Sequence, residues 1–380
     1  MNDIATVAEA LQKCPVFVME DRCSAVRNRN ASCRECVVAC PAGAIEVAAN
    51  KLTVDASLCT GCGACTSVCP TEAIAPLKPL DVEASRLASA IAKANEGRAV
   101  FACARISSKH RADPDTYVEV ACLGRMEESM LVDLVAGGAR KVLLVDGTCS
   151  TCKHRGVTPC VENTVAYANL MLQAFGSEVR VERCSDFPQD MQISDATGRF
   201  GSTRRGFIGD AAASAKETAL TAAKAAVESE LGVEKKLPQI GERLRATENG
   251  TLPQLRMPRH EVAINALDAL GTPVVDSLET RLFASIDIDV SKCNACGMCA
   301  VFCPTGALKR DATDKVSSQV KYFEFSACDC VQCGMCADVC WKEALVINPV
   351  VSFSELFDFE PRTFDVSEVH GSSSKLFGAF

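Results

Sequence analysis

The chain has 380 residues and a formal net charge of −8, with 48% hydrophobic and 23% charged residues. This composition is typical of a globular protein of two or three domains and excludes a disordered chain. The acidic balance and the 5% aromatic content disfavour nucleic-acid binding, which needs basic surfaces and often stacking rings. No run of 18 or more apolar residues is present, and the first residues lack a basic, apolar leader, so we expect a cytoplasmic protein.

The cysteine content is the main chemical signal, with 24 cysteines that cluster at two-residue spacings. In a long chain without a secretory leader, such clusters favour metal or cluster ligation over a disulfide scaffold. Structural zinc is the other alternative, although zinc sites rarely take three cysteines from seven residues followed by a separate Cys-Pro.

Two copies of one motif are complete. The pattern C-x2-C-x2-C-x3-C-P, typical of bacterial ferredoxins, occurs at residues 59–70 and again at 293–304. A cubane cluster needs four thiolates that point inward, and one short loop supplies three of them. A glycine after the second cysteine lets the backbone turn, and the proline directs the fourth cysteine away.

Two further copies are incomplete. The third, at residues 330–341, ends in Trp341 instead of proline, which keeps the fourth thiolate but changes the surroundings of the cluster. The fourth, at residues 33–41, lacks its first cysteine. We expect Cys23 to supply that sulfur, and Cys14 is the alternative.

The four copies form an internal repeat that pairs up along the chain. Their tails read CPAGAI, CPTEAI, CPTGAL and CWKEAL, and a short hairpin is predicted between the copies of each pair. Each pair resembles a two-cluster bacterial ferredoxin domain with pseudo-twofold βαβ halves, over about residues 14–80 and 283–348.

In such ferredoxins the fourth cysteine of each run binds the other cluster. The resemblance therefore implies four 4Fe–4S clusters, which we number as centres one to four. Their ligand sets are Cys23, Cys33, Cys36 and Cys69 for centre one; Cys59, Cys62, Cys65 and Cys40 for centre two; Cys293, Cys296, Cys299 and Cys340 for centre three; and Cys330, Cys333, Cys336 and Cys303 for centre four.

Alternating strands and helices are predicted between the two ferredoxin-like regions. The predicted strands are residues 98–104, 116–124, 141–147 and 178–184, and the predicted helices are 126–139 and 161–176. This alternation is typical of a small parallel α/β domain, in which ligands lie beyond the carboxyl ends of the strands. Cys103, Cys122 and Cys149 stand at or near such ends and Cys152 follows closely, so four sulfurs are predicted at one edge.

The stretch VACLGRMEESMLVDLVAGGARKVLLVDGTCSTCKHR, within about residues 98–185, is similar to the iron–sulfur delta subunit of methyl-viologen-reducing hydrogenase. The shared features are Cys-x-Gly-Arg after a strand, Gly-Ala before the next strand and a closing cysteine pair. That family links hydrogenase to heterodisulfide reductase. The resemblance implies a fifth cluster, 2Fe–2S in preference to 4Fe–4S, on Cys103, Cys122, Cys149 and Cys152, with Cys160 as a substitute ligand.

This region departs from the family pattern, because its first cysteine is single and its closing pair is tightly spaced. Two other interpretations of the middle cysteines therefore stay open: small buried apolar side chains, or a redox-active Cys149/Cys152 pair. We expect Cys14, Cys184 and Cys328 to be free thiols.

The sequence also suggests positions or roles for two basic side chains near these cysteines. His154, between Lys153 and Arg155, is expected at the surface. Arg125 is expected either to donate to cluster sulfurs or an anionic partner, or to form an ordinary salt bridge.

Residues 191–282 contain no cysteine and are predicted to form a helical connector that packs across the two ferredoxin units. An alanine-rich helix is predicted at 210–232 and a loop followed by a helix at 252–271. Arg204 and Arg205 resemble a twin-arginine export signal, but their internal position and the charged stretch that follows favour a basic helix start.

The sequence thus predicts an α/β plus α+β architecture. Two ferredoxin-like two-cluster domains, residues 1–80 and 283–350, flank a small parallel α/β domain at 96–190, with the helical connector between them and a tail at 351–380. No phosphate-binding loop, dinucleotide fingerprint or hydrolytic constellation is evident, so the catalytic chemistry is expected in a partner.

We therefore expect an electron-transfer subunit of an anaerobic or facultative organism, without a catalytic site of its own. It would pass single electrons between a flavin- or metal-containing oxidoreductase subunit and another redox protein. Candidate partners are a flavoprotein, a hydrogenase, a heterodisulfide reductase-like subunit or a molybdenum enzyme. The alternatives are a ferredoxin-fed thiol/disulfide enzyme using Cys149 and Cys152, and a maturation or docking protein for a molybdenum or hydrogenase apo-enzyme.

Overall fold

The structure is a computed structural model that describes residues 15–48, 50–77, 79–193, 244–247, 250–311 and 320–367. Cys14, Arg204, Arg205 and the helix predicted at 210–232 lie outside the described residues. The described part is a mixed α/β protein with small antiparallel sheets and one parallel four-stranded sheet. Within these residues no helix is both long enough and apolar enough to cross a membrane.

The N-terminal ferredoxin-like unit is built from short strands and single-turn helices. They are β1 Val16–Val18, α1 Ser24–Arg27, α2 Glu35–Val38, β2 Ile45–Ala48, β3 Lys51–Val54, α3 Ala64–Ser67 and β4 Ile74–Pro76. The predicted hairpin is present as β2–β3, and β1 pairs antiparallel with β4. The first and last strands of the unit therefore meet, which is the arrangement that two pseudo-symmetric halves require.

The middle domain contains the parallel sheet. Its elements are α4 Asp81–Ala94, β5 Arg98–Cys103, α5 Ala104–Ser107, β6 Val118–Val120, α6 Glu128–Ala136, β7 Lys141–Val145, α7 Thr158–Ala174 and β8 Val181–Cys184. The strand order is β6-β5-β7-β8 with every pair parallel, as the alternation predicted. Helices cover the sheet, so the continuous apolar run of β7 is fully buried.

The C-terminal ferredoxin-like unit repeats the N-terminal arrangement. Its elements are β9 Ser277–Glu279, β10 Ser285–Ile288, α9 Met298–Phe302, β11 Leu308–Arg310, β12 Tyr322–Phe325, α10 Met335–Asp338, β13 Leu345–Asn348, β14 Val350–Ser352, α11 Phe353–Phe357 and β15 Arg362–Asp365. Strands β11 and β12 form the predicted hairpin, and β10 pairs with β13. The segment after residue 350, predicted only as a tail, adds β15 to β12 as a third strand.

One helix of the connector region, α8 Pro258–Leu270, joins the three parts. The guanidinium of Arg259 donates to backbone carbonyls of Thr66 and Ser67 in the N-terminal unit, at 3.0 and 3.1 Å. The neighbouring His260 hydrogen-bonds through Nε2 to the carbonyl of Cys328 in the C-terminal unit, at 2.5 Å. Consecutive residues of one helix thus hold both ferredoxin units, while α8 packs along α6 of the middle domain.

Candidate iron–sulfur centres

The cysteine loops turn at the glycines that the motif predicts. Gly63, Gly297 and Gly334 each follow the second cysteine of a run and have φ of 76°, 73° and 79°. In this left-handed region a side chain is strained, so glycine lets the loop curl and bring its sulfurs to one side. Arg34, at the corresponding place in the incomplete copy, has φ −136°.

The tails of the four copies share a second feature. The fourth thiol of each run accepts a backbone N–H from the residue four or five positions later. The pairs are Ala44 N to Cys40 Sγ at 3.3 Å, Ala73 N to Cys69 Sγ at 3.2 Å, Leu308 N to Cys303 Sγ at 3.4 Å and Ala344 N to Cys340 Sγ at 3.4 Å. Such N–H···S bonds stabilise a thiolate and are one of the means by which proteins tune cluster potentials.

In the N-terminal unit the thiols assigned to centre one lie beside one another. Burial, followed by the neighbouring thiols of Cys69, Cys23 and Cys33, raises the pKa of Cys36 to about 12. Burial also raises the pKa of Cys33 to about 11, again with contributions from Cys69 and Cys23. The upstream Cys23 and the crossing Cys69 therefore both lie close to Cys33 and Cys36.

The thiols assigned to centre two form a second group. Burial raises the pKa of Cys65, and the neighbouring thiols of Cys62, Cys36, Cys59 and Cys40 raise it further, Cys36 being one of the thiols assigned to centre one. Cys40 comes from the other run, so the crossing pattern of the resemblance agrees with the positions of these side chains.

The C-terminal unit repeats this pattern. The pKa of Cys299 is raised by burial and then by Cys296, Cys293 and the crossing Cys340. The pKa of Cys336 is raised by burial and then by Cys333, Cys330 and the crossing Cys303, which completes the set assigned to centre four.

These groups suit an iron–sulfur cluster by their chemistry. Each consists of cysteine sulfurs, the soft ligands that iron–sulfur clusters take. Burial, and after it the neighbouring thiols, disfavours the thiolate form of these cysteines, and a bound metal cluster would offset that cost by replacing the protons. Among the described residues no three His, Cys, Asp or Glu side chains are placed to hold a single metal ion, and a cubane holds its thiolates farther apart than one ion does.

The middle cysteines meet as the strand positions predicted. Cys103, Cys122, Cys149 and Cys152 line one small cavity of about 30 Å³ beyond the carboxyl ends of β5, β6 and β7. Burial raises the pKa of Cys122 to about 12, with contributions from Cys62, Cys103 and Cys149. Their sulfur chemistry suits a cluster as well, and the loop with Cys149 and Cys152 is only half-buried.

The prediction that His154 lies at the surface is wrong. Its side chain is buried, lines the cavity of the middle cysteines and lies with Nδ1 3.5 Å from Thr60 Oγ1 of the N-terminal unit. The packing of the two domains against each other buries it, and its charged sequence neighbours gave no sign of that contact.

Two polar residues of the middle site were not predicted. Arg183 Nε donates to Asp146 Oδ2 at 2.5 Å, and Cys149 Sγ donates to the same oxygen at 3.5 Å. Both residues stand at the ends of adjacent parallel strands, so the rule that located the cysteines would also have located this pair. Of the remaining thiols, Cys160, Cys184 and Cys328 are half-buried and outside the lining of this cavity.

Arg125 forms the salt bridge that was one of its two predicted roles. Its guanidinium is buried and donates to Asp81 Oδ1 at 2.5 Å, at the start of α4. Its backbone packs so closely on the cysteine loop of centre two that a Cβ on Gly63 would lie 2.5 Å from Arg125 Cβ.

Comparison with known families identifies the class of site at both ends of the chain. A 4Fe-4S binding domain matches residues 20–43 and 52–75, and a 4Fe-4S dicluster domain matches residues 292–344. The chain therefore carries 4Fe–4S ferredoxin-type domains, and the middle α/β domain lies outside the three matched segments.

Two curated relatives belong to oxidoreductases. The chain is 48% identical over 42 residues to a subunit of the ion-translocating oxidoreductase complex of Methanosarcina acetivorans, covering 11% of this chain and 16% of the relative. It is 38% identical over 69 residues to the indolepyruvate oxidoreductase subunit IorA of Thermococcus kodakarensis, covering 17% of this chain and 10% of the relative. The chain thus spans under a fifth of the length of these relatives. No solved structure matches it. Together these matches support an iron–sulfur electron-transfer role.

Proposed function

We propose that this chain is an electron-transfer subunit whose redox centres lie in one line. The order along the line is the middle site, centre two, centre one, centre four and centre three. The observation that carries the proposal is that each group of cysteines adjoins the next, across two domain interfaces. Electron tunnelling falls steeply with distance, so adjacency decides the path.

The contact between the middle site and centre two is a close backbone approach. Ser67 Oγ, beside Cys65, donates to the carbonyl of Gly124 at 2.8 Å. A Cβ on Gly124 would lie only 3.5 Å from the carbonyl oxygen of Cys62. Gly124 is two residues from Cys122, so the middle site and centre two adjoin through short loops.

The two ferredoxin units meet through centres one and four. Ser32 donates from its backbone N and from Oγ to the carboxylate of Asp338, each at 2.8 Å. Ser32 precedes Cys33 of centre one, and Asp338 lies on α10, which carries Cys336 of centre four. Met335 on the same helix is fully buried in the core of the N-terminal unit.

Within each unit the centres are neighbours through the paired helices of the repeat. Helix α2 contacts α3 in the N-terminal unit, and α9 contacts α10 in the C-terminal unit. The line therefore runs from the half-exposed Cys149–Cys152 loop to centre three, where Met298 and Trp341 are 37% and 66% exposed. Partner proteins would dock at these two ends.

The partners follow from the resemblance and from the relatives. We propose that a flavin- or metal-containing oxidoreductase subunit meets one end and a second redox protein meets the other. A hydrogenase or heterodisulfide reductase-like subunit fits the middle domain, because the family that it resembles links those two enzymes.

Electron paramagnetic resonance tests the line directly, since adjacent reduced centres broaden each other's signals. Cys33→Ser should damage centre one and so abolish the couplings of centre one to centre two and to centre four. Cys293→Ser is the matched control, because it damages the terminal centre three and should leave the couplings among the other centres intact. Equal effects of the two substitutions on the signal of centre two would contradict the proposed order.

The thiol/disulfide alternative finds less support. Burial, followed by the nearby Asp146, raises the pKa of Cys149, whereas a nucleophilic thiol needs a lowered pKa. Alanine at Cys149 and Cys152 that removed a thiol–disulfide activity and spared the iron content would favour it. A maturation role would be indicated by transient binding to an apo-enzyme instead of a stable complex with an active one.

A further inference from the structure

A cavity of about 470 Å³ whose lining contains no cysteine lies between the N-terminal unit and the helices α4, α6 and α8. Its volume falls in the range of pockets that hold small organic ligands. Apolar side chains from several elements form most of its wall: Phe17, Met19, Ile74, Leu77 and Met130.

A buried carboxyl group and a buried guanidinium are among the lining residues of the cavity. Glu127 Oε2 lies 3.4 Å from Arg259 Nε, and both side chains are about nine-tenths buried. Arg259 uses its terminal nitrogens on the carbonyls of Thr66, Ser67 and Cys69. The guanidinium is therefore committed to the backbone and offers little to a ligand.

Glu127 has a different character. Burial raises its pKa to about 8, Asp81, Glu72 and Glu128 contribute to the rise, and Arg259 opposes it. A carboxyl group of this kind retains its proton near neutral pH and presents an O–H donor in an apolar cavity.

We propose that this cavity binds an uncharged, planar molecule of the quinone class, with one carbonyl oxygen accepting a hydrogen bond from Glu127. The apolar wall suits the ring, and the hydroxyl of the protonated Glu127 suits a carbonyl. The carboxyl groups of Glu72, Asp81 and Asp133 also line the cavity, as do the guanidinium groups of Arg22, Arg86 and Arg259. Arg22 and Arg259 donate to backbone carbonyls and Arg86 is exposed, so the cavity suits a phosphate-bearing cofactor poorly.

The choice of a redox-active class rests on the proposed function. The wall includes Thr66, next to Cys65 of centre two, and β4, which follows Cys69 of centre one. A bound molecule would thus lie close to the cysteines assigned to two centres.

Equilibrium dialysis of the full chain, purified without oxygen, tests this site with menadione as the uncharged probe and flavin mononucleotide as the anionic one. We expect menadione to bind and flavin mononucleotide not to bind. Glu127→Leu should weaken menadione binding about tenfold, the equivalent of about one hydrogen bond. Glu127→Gln, which keeps an N–H donor, should stay within about twofold of the unchanged chain.

Val262→Trp should block binding, because Val262 lies at the rim of the cavity and is 37% exposed. Leu87→Trp on α4 is the matched control, since Leu87 is 47% exposed and outside the lining. Absence of menadione binding, or binding unaffected by Val262→Trp, would overturn the site. Preferential binding of flavin mononucleotide would overturn the ligand class. Iron content measured on the same samples reports on the proposed function separately.

Discussion

At the scale of single residues, Cys23 is the ligand that we propose for the incomplete copy of the motif. This thiol is buried, and the neighbouring Cys69 raises its pKa after burial does. Cys23 stands at the start of α1, where the chain turns back towards Cys33 and Cys36. We therefore propose that Cys23 replaces the missing loop ligand.

Cys23→Ser should consequently reduce the iron content by up to about four atoms per chain, the content of one cubane. Cys14→Ser is the control and should leave the iron content unchanged. Iron and sulfide analysis after oxygen-free purification measures both. Loss of iron from the Cys14 variant with retention in the Cys23 variant would reverse the ligand assignment.

Two separate features of the structure favour glycine at position 63 over any residue with a side chain. Its φ of 76° strains any side chain, and a Cβ there would lie 2.5 Å from Arg125 Cβ. Gly43 also has positive φ, 61°, but a Cβ at that position would meet no other atom within 4 Å. A substitution at Gly43 therefore adds backbone strain alone, whereas one at Gly63 adds backbone strain and a clash between domains.

Both Gly63→Ala and Gly43→Ala should incur a backbone strain of about 1–3 kcal/mol. Gly63→Ala should lower the thermal midpoint further, because the N-terminal unit must also move away from the middle domain. Thermal unfolding of the two variants under the same conditions tests this. Equal midpoints would mean that the N-terminal unit can move away from the middle domain without a cost in stability.

At the scale of elements, helix α8 is held by a buried charge. Removing the guanidinium of Arg259 would leave the carbonyls of Thr66, Ser67 and Cys69 without their donor. A buried acceptor left without a hydrogen bond costs about 1–3 kcal/mol. We therefore expect Arg259→Ala to lower the thermal midpoint strongly.

Arg256→Ala is the matched control, three residues away. Arg256 is exposed and pairs with Glu261 at 2.6 Å, so solvent screens that interaction. Thermal unfolding should distinguish the two variants clearly. A similar midpoint for both would mean that α8 does not hold the N-terminal unit.

His260 makes the same helix sensitive to pH. Burial lowers the pKa of His260 to about 4, from an ordinary value of 6.5. Between these values the unfolded chain binds a proton that the folded chain does not, so stability decreases as the pH falls from 6.5 towards 4. The loss from this residue between about pH 7 and about pH 5.5 should be about 1 kcal/mol.

His260→Gln should remove this part of the pH dependence, because the amide can still donate to the carbonyl of Cys328 but does not titrate. Thermal midpoints measured across this pH range compare the two proteins. An unchanged slope in the variant would assign the acid sensitivity to other groups.

The elements that could be predicted are those marked by a pattern within their own stretch of sequence. Strands β5 and β7 were predicted as 98–104 and 141–147 and end at 103 and 145, because continuous apolar runs mark strands buried on both faces. The strand predicted at 116–124 is shorter, at 118–120, since its last residues turn and carry Cys122 into the middle site.

The parts that were missed depend on contacts distant in sequence. Helix α4 was not predicted, because it buries the small residues Ala84, Ala88 and Ala92 instead of a strongly apolar stripe. The bonds from Arg259 to the cysteine loops join residues about 190 positions apart, and no local pattern reports them. The burial of His154 has the same origin.

At the scale of the whole molecule, the repeat of one loop places four groups of cysteines in two similar units. In the proposed line the interfaces set the order of the centres: Ser32 bonds to Asp338 between the groups assigned to centres one and four, and Gly124 lies against Cys62 between the middle cysteines and the group assigned to centre two. The motif predicted the groups, but their order depends on domain packing that the sequence did not indicate.

The most direct test of the proposed line of redox centres is the iron and acid-labile sulfide content per chain, measured on protein purified without oxygen. Four cubanes and one two-iron centre predict about 18 iron atoms, and a Cys149→Ala/Cys152→Ala variant should hold about 16. A content of about 16 that does not change in this variant would contradict a fifth centre. In that case the middle domain would hold no redox centre of the proposed line.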